Sequence, residues 1–98
     1  MIILALNELN IEYIRGYVNE GQLPNFGRLL EHGVVRTTSE TAYEHLEPWI
    51  QWTTVHTGKT FDEHRVFRLG DIVDRADLVQ IFEVLEEAGL SVGAISPF

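Results

Sequence analysis

The stretch that decides the fold class is the opening one, residues 2–6 with the sequence IILAL, which turns polar at Asn7. A continuous apolar run of this length is typical of a central strand in a parallel sheet, because helices cover both of its faces. The run is too short for a signal peptide or a membrane span, and no basic region precedes it. Residues 2–6 therefore predict a buried strand at the start of a domain.

Two later segments carry a similar strand signal. Residues 34–38 are rich in β-branched side chains, and residues 90–95 form another apolar run. Between these segments, apolar side chains recur at helical spacing, so the order is strand, helices, strand, helix, loop, helix, strand. Helices between strands predict right-handed crossovers. We therefore expect an α/β fold with a parallel three-layer α/β/α sheet.

Capping signals set the bounds of the predicted helices. Asn10 is a suitable N-cap for the first helix, and Pro48 fits the first turn of a later one. The clearest helical spacing lies in residues 77–88, which Gly89 ends. Residues 59–75 are mixed in composition and predict a long loop.

The length indicates that this sheet is incomplete. A chain of 98 residues supports one small domain. Its predicted strands also fall short of the roughly five or six in an average sheet. The last predicted strand ends where the functional loop of an open α/β sheet begins. We therefore expect residues 1–98 to be a single α/β segment, the truncated N-terminal part of a larger domain, and inactive alone.

Charge and cysteine content exclude several classes of function. The chain has 15 acidic and 7 basic residues and a net charge of -8. This balance argues against binding to nucleic acid or to an anionic membrane surface. Without cysteine, the chain has neither disulfides nor thiolate metal sites. A cysteine-free chain also fits a cytoplasmic location.

Two acidic positions fall where the predicted fold places its site. Asn7 and Glu8 follow the first predicted strand, at a carboxyl end where a carboxylate could hold a metal ion. Glu47 precedes Pro48 at a helix N-terminus, where free N–H groups favour anions. A simpler interpretation stays open, in which Glu8 is a solvated loop residue and Glu47 only an N-cap.

The histidines do not form a recognisable ligand motif. His45, His56 and His64 follow one another too distantly for a compact pattern such as two histidines at i and i+4. Most histidines in such positions are structural or exposed. We therefore assign none of them to a metal site.

Several segments in order resemble the opening of the alkaline phosphatase superfamily, and most nearly its type I phosphodiesterase and nucleotide pyrophosphatase branch. They are residues 3–8 (ILALNE), residues 23–33 (LPNFGRLLEHG), residues 52–53 with 57–59 (WT and TGK), and His64. The resemblance covers most of residues 2–66. It implies a phosphodiesterase- or phosphatase-like hydrolase of small phosphate or sulfate esters that uses divalent zinc or manganese.

The sequence departs from that family at the positions that carry its chemistry. Asn7 stands where the family has a metal-binding aspartate, so the resemblance gives the metal role to Glu8, with Asn7 beside it. The nucleophile position falls on Pro48, which leaves Glu47 as the catalytic candidate, either as a metal ligand or as an altered catalytic group. The family's His-Gly pair reads His64-Arg65.

We therefore expect the N-terminal fragment of a metal-dependent phosphate or sulfate ester hydrolase-like protein that is divergent at its nucleophile. Two alternatives stay open. One is a non-catalytic ligand- or partner-binding α/β module of the same fold. The other is a homo-oligomer that associates through an exposed sheet edge.

Overall fold

A computed structural model of the chain describes residues 2–95. These residues form α-helices and a short 3₁₀ helix, joined by turns and irregular segments, and none of them lies in a β-strand. The chain divides into two compact units, with the boundary between Thr37 and Thr38. No helix within the described range is both long and apolar enough to cross a membrane.

A pair of helices makes up the first unit. Helix α1 spans Ile11–Asn19 and helix α2 spans Pro24–Glu31. The side-chain oxygen of Asn10 accepts two N–H groups from the first turn of α1, so the predicted N-cap is confirmed. The helices approach closely at Gly27, where a Cβ would lie 3.2 Å from Val18. A larger residue there would press on α1.

The second unit contains the remaining helices. The 3₁₀ helix spans Tyr43–His45, and it is followed by α3 at Pro48–Thr57, α4 at Phe61–His64 and α5 at Ile81–Glu87. Proline at the first position of α3 confirms the predicted start. Gly58 ends α3 with a φ of 67°, a left-handed conformation that suits glycine.

Side chains from α3, α4 and the segment that follows them form the core of the second unit. Among the described residues of this unit, the buried side chains are Ile50, Thr53, Phe61, His64, Val66 and Leu78. Ile50 and His64 are fully buried, each with a relative exposure of 0%. The core therefore includes an ionisable ring beside aliphatic and aromatic groups.

Two helix boundaries differ from the prediction. Helix α5 begins at Ile81 rather than at residue 77, because residues 76–77 form a turn and the Glu83 carboxylate accepts the N–H of Gln80 at 2.6 Å. Helix α4 lies inside residues 59–75, for which the sequence predicted a loop. Its start is stabilised by the Glu63 carboxylate, which accepts the N–H of Thr60 at 2.8 Å.

The prediction of an α/β fold with a parallel three-layer α/β/α sheet is wrong for the described residues. Residues 2–6, 34–38 and 90–95 form no strand. Most of their large side chains are exposed, with Ile2 95% and Ile95 98% exposed. An apolar, β-branched run favours an extended backbone locally, but a strand also needs a second segment that completes its hydrogen bonds and covers its faces. No two of these segments pair within residues 2–95.

Candidate functional site

The predicted metal-binding residues Asn7 and Glu8 lie in a turn of the first unit. This turn follows the apolar residues 2–6, and both side chains are exposed. Glu8 has a φ of 54°, which is uncommon for a residue with a side chain. The turn therefore presents both polar groups at the surface of the first unit.

The predicted catalytic residue Glu47 lies in the second unit, directly before α3. Its carbonyl oxygen accepts the N–H groups of Ile50 and Gln51, each at 3.0 Å. Its exposed side chain makes no capping hydrogen bond. Glu47 is thus the N-cap residue by its backbone, while its carboxylate is not used to cap the helix.

These residues do not assemble into a metal site in the part of the chain that the structure describes. No group of three or more His, Asp or Glu side chains in residues 2–95 could hold a metal ion. Asn7 and Glu8 supply two donor side chains from one turn, fewer than the roughly four ligands of a protein zinc site. The metal-binding and hydrolase-like interpretation is therefore not supported by the described residues, which form a helical fold and contain no group of metal ligands.

A network of hydrogen bonds lies elsewhere, around His64 at the end of α4. Nδ1 of its ring accepts the N–H of Val66 at 3.0 Å, and Nε2 lies 3.0 Å from Oγ1 of Thr54. The side chain of Arg75 donates to the His64 carbonyl at 2.7 Å. We call His64, Thr54, Val66 and Arg75 the His64 cluster.

These hydrogen bonds fix the tautomer of the His64 ring. Since Nδ1 accepts an N–H, the ring proton sits on Nε2 and is donated to Thr54. The Thr54 hydroxyl in turn donates to the carbonyl of Ile50, one helical turn earlier in α3, at 3.3 Å. The neutral ring therefore links α4 to α3.

A left-handed residue brings the Val66 N–H onto the ring. Arg65 follows α4 with a φ of 55°, and this conformation turns the chain sharply back. The Val66 N–H then reaches the ring of His64, two residues earlier. The ring is thus enclosed by its own turn as well as by α3.

The electrostatic surroundings favour the neutral ring. Burial lowers the pKa of His64 most strongly, and the charge of Arg75 lowers it further, while Glu40 and Glu63 act in the opposite direction. Desolvation disfavours the imidazolium because a buried charge loses its hydration. His64 therefore resists protonation in the folded protein.

Arg75 is itself held in position. Its Nε and Nη2 groups each donate to the Asp77 carboxylate at 2.7 Å, a two-point pairing that fixes the guanidinium plane. This hydrogen bonding lowers the pKa of Asp77 to about 2. Asp77 therefore stays ionised and keeps Arg75 on the His64 carbonyl through the neutral and mildly acidic range.

The other histidines of the second unit serve packing. His45 stacks on Phe61 with ring centroids 3.7 Å apart. His56 packs edge-on against Phe82 at 5.0 Å, and burial lowers its pKa, while a hydrogen bond with Gln80 raises it.

A surface depression of about 360 Å³ lies between residues 72–78 and the start of α5. Its lining brings the charged side chains of Asp74, Arg75 and Glu83 together with aliphatic ones. None of these residues was predicted as a site residue, and the depression contains neither Glu47 nor the turn at residues 7–8.

Sequence reasoning missed the His64 cluster. It predicted a loop for residues 59–75 and gave His64 no partner. One local signal was present, because Thr60 and Glu63 fit the Ser/Thr-x-x-Glu pattern that marks a helix start. The contacts to Thr54 and Arg75 have no comparable signal, since they depend on how separate segments pack.

Comparison with known proteins adds no relative. No protein-family model matches the sequence, and no curated protein or solved structure matches it significantly. The resemblance to the alkaline phosphatase superfamily therefore stays a prediction, as do the roles of Asn7, Glu8 and Glu47.

Proposed function

We propose that the chain functions as a self-associating assembly module, in which the apolar segment at residues 2–6 of one copy pairs with the same segment of a second copy. The observation that carries this proposal is the exposure of residues 2–6. Ile2 is 95% exposed, Ile3 64% and Leu4 69%. Contiguous apolar side chains in water are costly and commonly mark an interaction surface.

The backbone of this segment suits pairing with another strand. Residues 2–6 belong to no helix or strand within the described range, and their branched apolar side chains favour the extended backbone of a strand. An extended segment without a neighbour presents N–H and C=O groups that an added strand can satisfy. In a paired strand its apolar side chains would alternate to both faces, so a complete interface covers both.

The sequence of the segment favours a second copy as the partner. Residues 2–6 contain no charged side chain, although the whole chain carries a net charge of -8. Two identical segments can pair around a two-fold axis, with apolar groups opposite apolar groups. The remaining charges of two copies repel each other, and salt screens that repulsion. Association is therefore expected to strengthen as salt is added.

Sedimentation velocity of the purified chain over a range of concentrations tests the proposal. We expect the dimer fraction to rise with protein and with salt concentration, together with a β-sheet signal in circular dichroism. The double variant Ile3→Gln/Leu4→Gln should remain monomeric. Val73→Gln is the matched control, because Val73 is 79% exposed outside the segment and the change is also neutral.

Two results would contradict self-association through residues 2–6. One is a chain that stays monomeric throughout the concentration range in high salt. The other is a double variant that associates as strongly as the Val73→Gln control.

A second candidate is a part in the cleavage of small phosphate or sulfate esters, as the sequence resemblance implies. The observation in its favour is Glu47, whose carboxylate is exposed at the N-terminus of α3 and makes no capping hydrogen bond. A carboxylate in that position is available to act on a bound molecule. We place both candidate functions in the cytoplasm, since the chain has no cysteine.

Hydrolysis of p-nitrophenyl phosphate, its bis-ester and p-nitrophenyl sulfate, with added zinc or manganese, tests the second candidate. Turnover that falls at least tenfold in Glu47→Gln, but not in Glu44→Gln, is the expected result. Glu44 is the control because it is an exposed glutamate in the neighbouring 3₁₀ helix. Equal turnover in both variants, or none in the unmodified chain, would rule this candidate out.

A further inference from the structure

The His64 ring is a buried titratable group that neither proposed function uses. It has a relative exposure of 0%, and both of its nitrogens are engaged. Nδ1 accepts the Val66 N–H and Nε2 faces the Thr54 hydroxyl, each at 3.0 Å. These bonds join the end of α4, the chain that follows it, and the middle of α3.

We infer that the His64 cluster is an acid-sensitive lock, in which protonation of the ring breaks the Val66 hydrogen bond and displaces the ring or the turn at Arg65 that follows α4.

The geometry leaves no room for a second ring proton. A proton on Nδ1 would point at the Val66 N–H, so that two donors would face each other across 3.0 Å. An imidazolium has no acceptor to offer. The Val66 N–H would then lose its partner in a buried place, which is unfavourable. The ring or the turn at Arg65 must move to relieve this contact.

Charged groups from the surrounding segments do not remove the conflict. Glu40 lies before α3, and its carboxylate accepts the Phe61 N–H at 2.9 Å. Glu63 lies in α4, and its carboxylate is bound to Thr60. Both favour a charged ring, whereas Arg75 opposes it and α3 presents the neutral Thr54 hydroxyl. Burial is the largest influence, and the pKa of His64 is lowered.

The direction of the pH effect follows from this lowered pKa. The unfolded chain binds the histidine proton at a pKa of about 6.5, above the value in the folded state. The stabilisation is therefore fully present above that pH and is lost as the pH falls below it. The loss continues until the pH passes the pKa of the folded protein. Over that window the folding equilibrium shifts toward unfolding by about tenfold per pH unit for each such histidine.

Nitrogen-15 correlation spectra of the histidine rings test the lock in the unmodified chain. We expect His64 to show the Nε2–H tautomer and to titrate below its ordinary pKa. As the ring titrates, the Val66 amide should lose its protection against hydrogen exchange. An Nδ1–H tautomer, a pKa at or above the ordinary value, or a Val66 amide unaffected by the titration would overturn the inference.

The variant His64→Asn separates the lock from general acid sensitivity. Its side-chain oxygen can accept the Val66 N–H, but it does not titrate. We expect a smaller loss of stability between about pH 7 and pH 5 in this variant, to which His56, whose pKa burial also lowers, still contributes. The control His32→Asn changes an exposed histidine in the first unit and should keep the full slope. Equal slopes in the two variants would contradict the lock, and if His64→Asn does not fold, the ring titration decides.

Discussion

The two units of this chain use their apolar residues in different ways. Within the described residues, the first unit buries one hydrophobic side chain, that of Ile14. The second unit buries those of Ile50, Phe61, Val66 and Leu78. The first unit leaves residues 2–6 in solvent, but the second surrounds an ionisable ring. The second unit therefore has a buried core of its own, although it too leaves apolar side chains such as Ile95 in solvent, while the first unit buries little and exposes residues 2–6.

The largest expected effect is in the closed core. Ile50→Ala should destabilise the second unit by about 2–5 kcal/mol, because it leaves a cavity at a fully buried site. Val55→Ala removes a side chain that is 62% exposed on the same helix, and its effect should stay within about 0.5 kcal/mol. Urea unfolding followed by tryptophan fluorescence measures both, since Trp49 and Trp52 lie on α3. Equal effects would show that α3 has no distinct buried face.

A smaller effect is expected from the polar support of the lock. Arg75→Gln removes the two-point pairing with Asp77 and weakens the bond to the His64 carbonyl. We expect a loss of about 1–2 kcal/mol in the stability of the second unit. Arg68→Gln, which also removes one positive charge, is the control and should cost less. A loss as large in the control would mean that net charge, rather than these bonds, sets the effect.

The first unit should respond most to its helix cap. Asn10→Ala removes the acceptor for two N–H groups of α1, and we expect a loss of about 1 kcal/mol. Asn10→Ser keeps a capping oxygen and should recover most of the loss. Helix content measured by circular dichroism, together with hydrogen exchange across α1, reports both changes. No difference between Ala and Ser would show that the cap does not hold this helix.

The smallest effect is expected at the exposed ion pairs of the first unit. Arg15 and Arg36 both reach Oε1 of Glu12 at 3.3 Å, and all these side chains are largely exposed or half-exposed. Exposed pairs contribute little, so Arg36→Gln should change the stability by less than about 1 kcal/mol. Thermal unfolding at low and high salt checks this. A larger loss of stability would mean that ion pairs contribute substantially to the stability of the first unit.

Helix boundaries could be predicted from the sequence because their signals are local. Asn10 accepts N–H groups from the next turn, and Pro48 and Gly58 fix the ends of α3 within a few residues. Such signals act over distances that a short stretch of sequence contains. The same reasoning failed for residues 77–80, where the helical spacing continued but a turn and an N-cap set a later start.

The lack of a sheet among the described residues and the His64 cluster could not be predicted in this way, because both depend on contacts between segments far apart in the chain. The run at residues 2–6 favours a strand, but its sequence does not specify which segment, if any, pairs with it. The contact between Thr54 and His64 likewise depends on how α3 and α4 pack. Nothing in the histidine spacing indicated that His64 is buried and neutral.

Hydrogen exchange of the intact chain at low and high protein concentration tests the central contrast between the two units most directly. The account predicts that α3 and α4 are protected at both concentrations, while residues 2–6 exchange freely at low concentration and become protected at high concentration. Residues 2–6 that are protected even at the lowest concentration, or that exchange freely at the highest, would contradict it.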